Sequence, residues 1–75
     1  GTINFIYIDG EHSYEAVKRD IELYLPKIKN GGIIAGHDYH ENWPGVIKAV
    51  EEVLGTPNHI HKDSTWLHIV DRNNV

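Results

Sequence analysis

The 75-residue chain has no cysteine and no methionine, only three prolines, and a single phenylalanine. Without cysteine, disulfides and thiolate-ligated metals are excluded, and the redox compartment is left open. No apolar stretch approaches the roughly 18 residues that a membrane helix needs, and no secretory leader is visible. Basic residues are in deficit as well: 7 Lys and Arg stand against 11 Asp and Glu, for a formal net charge of -4. Nucleic acids and anionic membranes are recognised through basic faces, so neither is expected as a partner. A soluble, cytoplasmic protein is the expectation. The lack of methionine, with a start on Gly1-Thr2, further suggests a piece trimmed from a longer chain. A domain this small typically buries only about 60% of the surface its unfolded chain exposes, so its own core would be marginal.

What the chain does contain is an alternation of strand and helix signals, with no repeat and no linker. Residues 3 to 8, Ile-Asn-Phe-Ile-Tyr-Ile, are almost continuously apolar, which suits a strand covered on both faces. Ser13 can cap a following helix and Glu15 favours its positive end. Tyr14, Val17, Ile21, Leu25 and Ile28 recur on one helical face, with a kink or stop expected near Leu25 because Pro26 cannot donate to residue 22. Asn30-Gly31-Gly32 reads as the turn that ends this helix, and Ile33-Ile34-Ala35 as a second buried strand. Pro44 fits the first position of a second helix, whose Val46, Ile47, Val50, Val53 and Leu54 form a stripe ending at Gly55. Residues 58 to 62 and 66 to 70 read as two strands of a hairpin around Asp63-Ser64-Thr65. The order βαβαββ predicts an α/β fold, with parallel strands first and an antiparallel hairpin at the end.

In open α/β sheets, ligands bind beyond the carboxyl ends of the parallel strands. Asp9, Glu11 and His12 follow the first strand; Gly36, His37, Asp38, Tyr39 and His40 follow the second. Two neighbouring parallel strands would bring these polar groups to one edge of the sheet.

The segments IDGEHSYE, LPKIKNGGIIAGHDY and WPGVIKAVEE give the chain a family likeness. It resembles the carboxyl-terminal half of class I S-adenosylmethionine-dependent methyltransferases, over about residues 3 to 70. More narrowly, it is similar to small-molecule methyltransferases with Asp-Gly-x-His-x-Tyr after the fourth strand and Gly-Gly-x-x-x-x-x-Asp at the fifth. The resemblance implies a Rossmann-like sheet of strand order 3-2-1-4-5-7-6, of which this chain would supply the fourth to seventh strands. The glycine-rich turn and ribose-binding acid of the family's first half are not in these 75 residues, so this segment by itself should bind the cofactor weakly or not at all.

By the same resemblance, Asp9 matches the first ligand of a divalent metal, commonly Mg²⁺, and His37 and Asp38 match an adjacent ligand pair. Carboxylate oxygens suit a hard cation. An imidazole at His37 departs from the pattern and suits Zn, Fe, Ni or Mn better. His12 matches a histidine that acts as base in sugar O-methyltransferases, and an imidazole can take a hydroxyl proton near neutral pH. Tyr39, His40 and Trp43 are candidates for an acceptor pocket. Plainer readings stand beside these. Asp9-Gly10 and His37-Asp38 can be turn chemistry, Glu11 a solvated charge, His12 a residue at the helix start, and the aromatics packing staples. His59, His61 and His68 alternate along the hairpin and are expected on a solvated face.

The expected function is thus part of a methyltransferase acting on a small hydroxyl-bearing acceptor, with S-adenosylmethionine as cofactor. Two alternatives are a non-catalytic half-domain serving as an interaction module, and a metal-dependent hydrolase or oxygenase using Asp9, His37 and Asp38. The strand at residues 3 to 8 would lack one neighbour, so self-association through its open edge is also expected.

Overall fold

A computed structural model describes residues 1–8 and 12–71. Four strands and two helices follow in the order β1 (Ile3–Ile8), α1 (Tyr14–Tyr24), β2 (Ile28–Gly36), α2 (Pro44–Leu54), β3 (His59–Ile60) and β4 (Trp66–Ile69). They form one mixed sheet of spatial order β1-β2-β4-β3. β1 and β2 are parallel, while β4 runs antiparallel to both β2 and β3. The antiparallel strand is therefore not at the rim. It lies inside the sheet, and β3 at the rim again runs in the direction of β1 and β2.

Ser13 caps α1 by accepting a hydrogen bond at its hydroxyl from the Ala16 amide at 3.3 Å, with Glu15 in the first turn. Such a cap stabilises a helix by about 1 kcal/mol. The helix stops before Pro26 as expected, but Ile28 is not on its stripe. A short 3₁₀ turn, Leu25–Lys27, intervenes and Ile28 opens β2, fully buried.

Because Pro26 has already ended the helix, Asn30-Gly31-Gly32 is not its terminal turn. These residues lie within β2, where the pairing jumps from Ile3 with Ile28 to Phe5 with Ile33. The irregularity places Gly31 at φ 85°, a left-handed conformation that glycine adopts without strain. Its amide donates to the Val70 carbonyl at 2.7 Å, and the Val70 amide donates back to Gly32 at 2.8 Å.

Both helices pack on the same face of the sheet. Val17 and Ile21 from α1, and Val46, Ala49 and Val50 from α2, meet Ile8, Ile28, Ile34, Trp66 and Val70 in one core. Fully burying an Ile or Val side chain contributes about 1.5–3 kcal/mol, so this face holds the unit together. The other face is open, with Phe5 53%, Tyr7 43% and Ile69 44% exposed. This corrects the expectation that β1 is covered on both sides. Its apolar run is suited to two covering layers, but the described helices supply only one.

Among the described residues, no helix is long and apolar enough to cross a membrane.

Candidate functional site

Strands β1 and β2 end side by side, with Ile8 opposite Gly36 in register. The segments that leave them therefore start from adjacent points on the carboxyl edge. His12 lies on the approach to α1, and His37 and Asp38 directly follow β2. Asp9 and Glu11 fall outside the described residues.

Asp38 is the centre of the cluster that results. One carboxylate oxygen, Oδ2, is in contact with Nε2 of His12. The other, Oδ1, accepts from Nδ1 of His37 at 2.9 Å. Burial alone would push the Asp38 carboxyl up, but the hydrogen bonds from His37 and His12 outweigh it and hold the group below its ordinary 3.8. Its backbone stands at φ 62°, a conformation that aspartate tolerates better than most residues. The loop is tied down by the next residue, whose amide donates to the Ser64 carbonyl in the hairpin turn at 2.9 Å.

The His12 ring is also held on its face. Trp43 stacks on it with ring centroids 4.0 Å apart and planes 25° from parallel. Trp43 is the cap residue of α2, and Pro44 starts the helix. Gly45 makes the approach possible, because a Cβ there would stand 2.8 Å from the Tyr14 amide nitrogen and 3.2 Å from the His12 carbonyl oxygen. A side chain at residue 45 would wedge the start of α2 away from the start of α1. In the sequence, Gly45 follows a proline and reads as ordinary helix-start chemistry, with no signal of close contact.

The other sequence-derived candidates take different places. Tyr39 is half-buried against the core, and its hydroxyl donates to Glu51 on α2. Burial and that carboxylate push the phenol up to about 12. His40 is exposed, and its Nδ1 accepts from the Asn42 amide at 3.1 Å within the turn before α2. Of the three proposed pocket residues, Trp43 is the one joined to His12. Farther from the edge, Tyr14 donates to Glu52 at 2.6 Å, and Lys18 pairs with the same carboxylate at 2.7 Å, which couples α1 to α2.

The three hairpin histidines do not share a face. His59 is opposite Leu67, whereas His68 is opposite Ile34, whose side of the sheet carries the helices. His68 is accordingly half-buried, with Nδ1 enclosed and lacking a hydrogen-bond partner among the described residues, and burial lowers its pKa below 6.5. The register of the hairpin decided this, and alternation along each strand does not reveal it.

Among the described residues, no three His, Cys, Asp or Glu side chains are arranged to hold a metal ion. Each oxygen of Asp38 already faces an imidazole, Oδ2 that of His12 and Oδ1 that of His37.

The described edge thus brings an imidazole, a carboxylate and a second imidazole together beside an aromatic ring. A profile described as a methyltransferase domain matches residues 1–39, the part that carries His12, His37 and Asp38. The chain belongs to this methyltransferase-domain family. It is also similar to an uncharacterized protein of Acanthamoeba polyphaga mimivirus, 37% identical over 54 residues, or 69% of this chain. The matched segment spans only 24% of that viral protein. No solved structure matches the chain.

Proposed function

We propose that the chain is the acceptor-side portion of a class I S-adenosylmethionine-dependent methyltransferase domain that methylates a hydroxyl group of a small molecule. One observation carries the proposal: at the carboxyl edge of two parallel strands, His12 is held against Asp38, both within the segment matched by the family, and against Trp43 just beyond it. Bound S-adenosylmethionine would supply an electrophilic methyl group. His12 takes the proton from the acceptor hydroxyl, and the edge holds the two reactants in line, an arrangement that lowers the barrier chiefly by orientation. The exposed side of Trp43 offers the acceptor an apolar surface beside the base, and His40 lies on the same loop.

A divalent metal on Asp9, His37 and Asp38 is a competing arm of this proposal. No step is assigned to it. Self-association through the free edge of β1 belongs to the proposal too: the strand lies at the rim of the sheet and bears no charged side chain.

The test is formation of S-adenosylhomocysteine by the whole protein that carries this segment, offered a panel of sugar and phenolic alcohols, with and without added divalent cation. His12→Ala is expected to lower turnover by about a hundredfold or more while leaving cofactor affinity nearly unchanged. Near-normal turnover in that variant would remove His12 from the reaction.

A further inference from the structure

We infer that Asp38 is the positioning residue of His12, and that it makes Nδ1, rather than Nε2, the nitrogen that receives the acceptor's proton. The inference rests on the reading of His12 as the base and specifies how that base is set. An ionised carboxylate can only accept hydrogen bonds. Contact between Asp38 Oδ2 and His12 Nε2 therefore requires the proton of the neutral ring to be on Nε2. The remaining lone pair is on Nδ1.

The rest of the cluster keeps this arrangement in place. His37 donates to the other oxygen, Oδ1, so each oxygen of Asp38 has an imidazole partner. Trp43 stacks against the imidazole plane and limits rotation of the ring about its bond to the chain. An aspartate carboxylate is ionised throughout the neutral range, and so acceptor-only. During transfer, the acceptor O–H bond breaks and its proton passes to Nδ1, while the oxygen forms a bond to the methyl carbon. The carbon–sulfur electron pair returns to the sulfur of S-adenosylmethionine, leaving a neutral thioether. His12 then carries two N–H groups and one positive charge, which faces the Asp38 carboxylate. Asp38 thus fixes the tautomer before the step and is paired with the cation after it, the division of labour known for carboxylate–imidazole pairs in acyl transfer.

The experiment is long-range ¹H–¹⁵N correlation spectroscopy of the whole protein labelled at histidine, at pH 8, with the His12 signals assigned by His12→Gln. The wild type is expected to show His12 with a protonated Nε2 whose hydrogen exchanges slowly with water, and an unprotonated Nδ1. Asp38→Asn is expected to abolish the slow exchange and shift the ring toward the Nδ1-protonated form, because the amide can donate to Nε2. Turnover should fall by at least about a hundredfold with the KM for S-adenosylmethionine unchanged, and Asp38→Glu should restore part of it. A wild-type His12 protonated on Nδ1, or an Nε2 hydrogen in free exchange with water, would overturn the inference, and this wild-type measurement stands even if the variants fail to fold. Failure of the methyltransferase reading looks different: the tautomer is as expected, but no S-adenosylhomocysteine forms with any acceptor.

Discussion

Replacing Gly45 with alanine sets two effects of opposite sign against each other. Alanine is favoured over glycine in a helix interior by about 1 kcal/mol, and residue 45 is the second residue of α2, where part of that gain applies. By this effect alone the variant would be stabilised. The added Cβ, however, would stand 2.8 Å from the Tyr14 nitrogen, 3.2 Å from the His12 oxygen and 3.3 Å from the Tyr14 Cα. All three atoms belong to the backbone, so no side chain can swing aside. Overpacking of this kind typically costs about 1–3 kcal/mol. The net expectation is a loss of about 1–2 kcal/mol, or roughly 4–8 °C in Tm for each kcal/mol in a domain of this size. Urea denaturation followed by tryptophan fluorescence reads the loss as a lower midpoint at unchanged slope. The native emission should change as well, since Trp43 would be drawn off the His12 ring while Trp66 stays buried. A Gly45→Ala variant that is more stable than the wild type would refute the close approach of the two helix starts.

His68 should make the fold sensitive to mild acid. Its pKa is lowered by burial, so the unfolded chain binds a proton below about pH 6.5 that the folded chain resists. Stability is therefore expected to fall as pH drops through 6.5 toward the lowered value, and His68→Phe should remove that step from the midpoint-versus-pH curve. A curve unchanged by the substitution would show that His68 is freely solvated. Asp38 acts in a lower window: its stabilising contacts are lost only as pH falls below about 3.8 through its depressed value. The 75-residue segment should also associate at micromolar concentrations through β1, and Phe5→Lys, on the open face next to the free edge, should shift it toward monomer in sedimentation velocity. A wild-type segment that already sediments as a monomer would rule out association through that edge.

Local chemistry that depends on neighbours in the chain was legible in the sequence. Ser13 caps α1, Pro26 stops it and Pro44 starts α2, since each effect operates within one helical turn. Periodicity marked Val17, Ile21, Val46 and Val50 as core, because an amphipathic helix buries its stripe against whatever sheet it meets. The placement of the polar residues at a strand edge followed in the same way, from the order of elements. Other features depended on which residues meet across the sheet. Gly31 and Gly32 look like a helix-ending pair, but the pairing of β2 with β1 and with Val70 makes them an irregularity inside a strand. His68 was expected on a solvated face with His59 and His61, but the hairpin register turns it under the helices. At the candidate site, the sequence offered Asp38 and His12 as separate groups, one a metal ligand and the other a base. They are 26 positions apart in the chain, and no local pattern says that they touch. Composition and spacing thus determined the elements and the edge on which chemistry would gather, because those depend on short-range sterics and burial. Only the tertiary structure decided that Asp38 faces His12 and that Trp43 lies against the ring, because the parallel register of β1 with β2 and the close helix contact at Gly45 bring those loops together.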